Sequence, residues 1–184
     1  MGREGCLGAP LPCSVVCGRR AGSRPDRQLG REGTSIGFGR KRGEKTQAIG
    51  RSRGGRTTKI HALTDAACRP IAFTLTGGQV DDRTAAPALL ERLPKCRILH
   101  ADKGYDTNHI RRTVEAKGTM PNIPPKANRI WKNCFSPYLY RDRNAIERMF
   151  CRLKDFRRIA TRYDRLAVNF PAAVHIAAIV AYWL

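Results

Sequence analysis

From Thr57 onward the chain reads as two consecutive strands and then a repeated alternation of helix and strand, an order that limits the fold more than any single residue does. Between Lys59 and Ala66, KIHALTDA sets Ile60, Ala62 and Leu63 among polar residues ahead of a turn over 67–70. PIAFTLTGG, rich in branched and aromatic residues and closed by Gly77 and Gly78, is a second strand, and the two predict a hairpin. DDRTAAPALLERL predicts a helix: Asp81 or Asp82 can cap its first turn, and Ala85, Leu89, Leu90 and Leu93 form an apolar stripe. RILHAD (97–102) is a short apolar strand ending on an acid, THIRRTVEAKG a helix closed by Gly118, and TMPNIPPK a strand stopped by Pro124 and Pro125. Two helices finish the chain, one across 143–157 and one over the apolar tail from Phe170. Strands followed by mixed alternation predict an α/β domain with a mixed sheet. At 184 residues the chain is long enough for one such domain to bury a core.

The segment before this pattern differs in texture. Residues 1 to about 56 are rich in Gly, Arg and Pro with almost no periodic apolar run, so disorder is expected there: too little apolar area is available to offset the entropy of ordering. Cys13 and Cys17 could form half a metal site, but no second pair follows at a suitable distance, and the seven cysteines are read as reduced thiols. No signal-peptide pattern opens the chain. The apolar tail, interrupted by Pro171 and His175, falls short of the roughly twenty residues that cross a bilayer. Charge points to the partner. With 35 Lys and Arg against 15 Asp and Glu, a formal charge of +20 favours a polyanion, nucleic acid before an anionic membrane.

Three stretches carry chemistry. Asp102 ends a predicted strand, where α/β sheets place ligands, although a turn or cap aspartate has the same look. Tyr140, Arg143, Glu147 and Lys154 recur at helical spacing, so they share a face. A solvated face would explain such spacing. Ile146, Met149, Phe150 and Leu153, however, mark the buried side, and Glu147 lies close to its edge, where a carboxylate costs free energy unless it is paired or binds a cation. Lys126, Arg129, Trp131 and Lys132 form a basic and aromatic patch suited to a DNA backbone or an unpaired base, or else an exposed connector.

Together these residues resemble the DDE transposases of bacterial insertion sequences, in the insertion sequence five branch. The family signature of Tyr, two residues, Arg, three residues, Glu, six residues, Lys is met at Tyr140, Arg143, Glu147 and Lys154. LHADKGYD is similar to the motif of the family's second aspartate and places it at Asp102. GRSRGGRTTKIHAL, NIPPK, FSPYLYRDRN and RRIATRYDRLAVNF also look like family text, and the likeness runs over about 43–184. It implies a ribonuclease H-like fold in which two aspartates and a glutamate bind two Mg2+ ions, with Mn2+ as substitute. Such ions, on the order of 4 Å apart, activate the attacking oxygen and stabilise the leaving one. The resemblance further implies DNA phosphate contacts from Tyr140, Arg143 and Lys154, and as partners the terminal inverted repeats and target DNA. A homodimer and a bacterial cytoplasmic, nucleoid-associated location are also implied.

The family's first aspartate lies on the first strand, a little over twenty residues before GRSRGG. Asp26 stands at about that distance, but RQLGREGTSIGFG after it has neither strand alternation nor the family's histidines. Thr34, Ser35 and Ile36 can be encoded so that the overlapping frame reads His, Gln, His. The hypothesis is that residues upstream of about 40 are out of frame, leaving 1–42 a disordered basic segment and 43–184 a partial catalytic domain without a proper first strand. Sequencing the gene tests it, and an early stop in the alternative frame would rule it out. The expected function is metal-dependent cleavage and strand transfer, impaired in this chain. The competing expectation is a non-catalytic basic DNA-binding fragment.

Overall fold

The computed structural model describes residues 13–15, 19–23, 47–52, 55–164 and 166–184. Its centre is β4 (Gly55–Thr64), which pairs antiparallel with β5 (Pro70–Gly77) over the length of the predicted hairpin. The connecting turn is tied by Asp65, whose carboxylate accepts from the Arg69 backbone N–H at 2.8 Å and from its Nε at 2.7 Å. Along the opposite edge of β4 lie β1 (Cys13–Val15) and β2 (Arg19–Ser23), also antiparallel to it. β3 (Gly50–Ser52) pairs with the start of β4.

The sheet then turns parallel. β6 (Ile98–His100) runs alongside β1, β7 (Met120–Asn122) alongside β6, and β8 (Thr161–Arg162) alongside β2. The mixed α/β class expected from the sequence is therefore observed. β1 sits between β4 and β6, inside the 1–42 segment, and its three residues, Cys13–Val15, include no aspartate. Backbone hydrogen bonds from two neighbouring strands recruit three residues into a sheet without any apolar periodicity of their own.

Helices cover both faces. α1 (Ala86–Glu91) is shorter than predicted: Asp81 caps a 3-10 turn over Asp82–Thr84, and Pro87, which has no N–H to donate, stands at the start of the helix proper. α2 (Asn108–Ala116) is capped by Thr107, whose hydroxyl accepts from the Ile110 N–H, and ends before Gly118 at φ +73°. The single helix expected over 143–157 is divided. α3 (Pro137–Tyr140) and a 3-10 turn over Arg141–Arg143 lead into α4 (Asn144–Asp155). Phe156 is extended, and α5 (Arg157–Ala160) follows. α6 (Asn169–Tyr182) matches the predicted terminal helix. Among the described residues no helix is long and apolar enough to cross a membrane.

The alternation along β4 sorts the core into two. Leu63 faces Leu89, Leu99, Tyr105, Ile110, Val114 and Ile123. Ile60 and Ala62 face Ile146, Met149, Phe150 and Leu153 of α4 and Phe170 and Val174 of α6. At roughly 25 cal/mol per Å2 of buried apolar surface, this double contact holds α4 against the sheet. Its polar face is thereby turned toward the end of β6.

Candidate active site

β6 ends at His100, and two residues later Asp102 opens a 3-10 turn over Lys103–Tyr105. The turn is closed by the Tyr105 N–H donating to the Asp102 carbonyl at 2.9 Å. Gly104 lies against Asp82: a Cβ there would stand 2.9 Å from its Oδ2, so a larger residue would have to shift a carboxylate whose Oδ1 is held by Lys59 Nζ at 2.8 Å. Tyr105 is buried beneath the turn, and its hydroxyl meets His61 Nδ1 at 2.6 Å, while His61 Nε2 meets Thr76 Oγ1 at 2.7 Å. Burial pushes the His61 pKa down to about 4. Nearby Asp82 opposes the shift and Lys59 adds to it, so the ring is neutral near pH 7.

Across from Asp102, the predicted spacing delivers its residues to one place. Arg143 Nη2 lies 2.6 Å from Asp102 Oδ1 and 3.0 Å from Glu147 Oε1. Tyr140 donates its hydroxyl to the same Asp102 oxygen at 3.2 Å, and the Arg143 guanidinium lies over the Tyr140 ring at 5.7 Å. His100 and Phe135 contact that ring edge-on, at 6.4 and 5.2 Å between centroids. The Asp102, Arg143 and Glu147 side chains are 27, 20 and 25 % exposed, half-buried but open to a ligand. Lys154 lies two turns beyond Glu147 on α4 and is exposed.

Two carboxylates from distant parts of the chain thus meet on one guanidinium. Oxygen donors of this kind suit a hard divalent ion, and their grip on a guanidinium shows that the pair already collects positive charge. Among the described residues no group of three His, Cys, Asp or Glu side chains gathers to hold a metal. Asp26, the candidate for a further acid, lies outside the described residues.

A second charged cluster stands close by in sequence. Asp106 is buried, and one oxygen accepts from Arg111 Nε at 2.8 Å. The other accepts from Arg129 Nε at 2.6 Å and from the Lys126 backbone N–H at 2.8 Å. Burial alone would raise the Asp106 pKa, but these donors outweigh it and hold the carboxyl below its ordinary range. Arg111 also donates to the Ile123 carbonyl at 2.7 Å. The basic patch expected over 126–132 is accordingly divided. Lys126 contributes a backbone N–H and Arg129 a guanidinium to Asp106, whereas Trp131 is 86 % exposed and Lys132 is exposed beside it. Asp106, Arg111 and His61 were not singled out by the sequence. The one signal available was that Asp106 closes the same HADKGYD stretch that carries Asp102.

A family model described as "Transposase DDE domain" matches residues 27–184. A Brucella ovis protein named as a transposase for insertion sequence element IS6501 is 33 % identical over 128 residues, covering 66 % of this chain and 94 % of that one. A Burkholderia cepacia protein named as a transposase for insertion sequence element IS402 is 28 % identical over 190 residues, covering 97 % of this chain and 87 % of the relative.

Proposed function

The chain belongs to the transposase DDE domain family of insertion-sequence proteins, and from that premise we propose that Asp102 and Glu147 are two of its metal-binding acids in DNA cleavage and strand transfer. The observation that carries the reading is the meeting of both carboxylates on one nitrogen of Arg143. A ribonuclease H-like arrangement is supported by the mixed sheet, with β6 parallel to β1 and Asp102 leaving its carboxyl end.

Asp102 and Glu147 would hold Mg2+, or Mn2+ in its place, which supplies Lewis-acid activation of a water or 3′ hydroxyl and stabilises the leaving oxygen. The remaining work belongs to the chain. Tyr140 orients the Asp102 carboxylate, Tyr105 and His61 fix the turn that presents it, and Lys154, with Lys132 and Trp131, would meet the DNA backbone and bases near the cut. The +20 charge supports DNA as partner, with affinity falling steeply as salt rises. Cleavage by this chain is expected to be impaired, because the residues after Asp26 lack the strand alternation and the histidines that follow the family's first aspartate.

Purified chain is expected to nick supercoiled DNA weakly, only with Mg2+ or Mn2+, and Glu147→Gln to abolish nicking. Equal nicking by both proteins would overturn the assignment. DNA binding without nicking by either would favour the second reading, a non-catalytic basic DNA-binding fragment, which the +20 charge also supports.

A further inference from the structure

We infer that Arg143 is the resident counter-cation of this site: it holds Asp102 and Glu147 together until a divalent ion displaces it, and is then released to take a DNA phosphate. The inference rests on the proposed metal-binding role of the two carboxylates. Its starting point is geometric. A single nitrogen, Nη2, serves both acids, at 2.6 and 3.0 Å. At Asp106 the arrangement differs: each oxygen has an arginine of its own, and a backbone N–H is added.

A guanidinium and a divalent ion cannot both occupy the point between the same two oxygens. The ion carries twice the charge and draws carboxylate oxygens to distances near 2.1 Å, so it wins them if it can reach them. Arg143 cannot yield by losing a proton, because arginine stays charged throughout the physiological range, and must move away as a cation. Both acids are reached by the same nitrogen, Nη2, and all three side chains are partly reached by solvent, which weakens such pairs and leaves room for the exchange. Once released, its planar fork matches a phosphate and remains tethered beside the acids by its place one turn before Glu147. Metal and phosphate binding are then positively coupled through one side chain.

The test measures Mn2+ binding to the full chain by calorimetry without DNA. Arg143→Gln is expected to bind Mn2+ on the order of five- to tenfold more tightly than the unaltered protein. Lys103→Gln, which removes a charge beside Asp102 without touching the pair, should change little. Unchanged or weaker binding by Arg143→Gln, or equal tightening by Lys103→Gln, overturns the inference. Should Arg143→Gln lose its fold by circular dichroism, Arg143→Met, which keeps the stem and removes the charge, replaces it: tighter binding supports displacement and unchanged binding overturns it. In a second readout, Mn2+ should tighten binding of a short DNA duplex to the unaltered chain and not to Arg143→Gln; equal tightening of both overturns the coupling. Adding Glu147→Gln to either variant separates the two ideas. If Mn2+ binding persists unchanged, the metal-site reading itself fails. If it is lost while Arg143 proves indifferent, only the inference does.

Discussion

Asp102 and Asp106 lie four residues apart and both face arginine, yet their surroundings set them to opposite tasks. Asp106 is sealed in: its side chain has no exposure, and the two arginines and the Lys126 N–H join α2 to the 126–129 loop. Asp102 is 27 % exposed and shares its arginine with a second acid. A buried, saturated carboxylate is structural because nothing can exchange with its partners. A half-buried carboxylate sharing one is available for exchange.

The largest expected effect would break this contrast most directly. Asp106→Ala leaves the buried Arg111 charge without its carboxylate and should destabilise the chain by about 3–5 kcal/mol, measured by denaturant unfolding. Asp102→Asn should change stability by no more than about 1 kcal/mol, as expected of an accessible pair. Similar losses for the two would mean that Asp102 is also structural.

Next in size is a pH effect at the support beneath Asp102. The His61 pKa is about 4 in the folded chain, below its ordinary 6.5, so between those values the unfolded chain takes up a proton that the folded one refuses. Stability should therefore fall as pH drops from 6.5 toward 4, on the order of 2–3 kcal/mol in all. Replacing the ring with a neutral side chain in His61→Gln should flatten that slope. A slope unchanged by the substitution would show that His61 is not its source.

The smallest effect sharpens the exposed side of the contrast. Lys154→Gln should leave stability unaltered, lower DNA affinity modestly, and reduce the slope of log affinity against log salt by about 1. An unaltered slope would remove Lys154 from the DNA contacts.

Much of this was legible beforehand where periodicity carries the information. The β4–β5 hairpin, the apolar stripe of α4 and the convergence of Tyr140, Arg143 and Glu147 all follow from local spacing. Two features were not. β1 and β2 pair with strands far along the chain, a partnership that their own composition does not announce. Arg129 reads like its basic neighbours, and the approach of Asp106, 23 residues away, with Asn108 and Asn133 accepting from its Nη1, turns it inward.

By itself, then, the sequence determined the family, the elements of the hairpin and helices, and the shared face of Tyr140, Arg143 and Glu147, because helical and strand periods are properties of neighbouring residues. The tertiary structure alone decided which aspartate is sealed and which is open. It also decided that Arg143 turns toward the two acids, since burial and ion pairing depend on residues that meet only after the chain has folded.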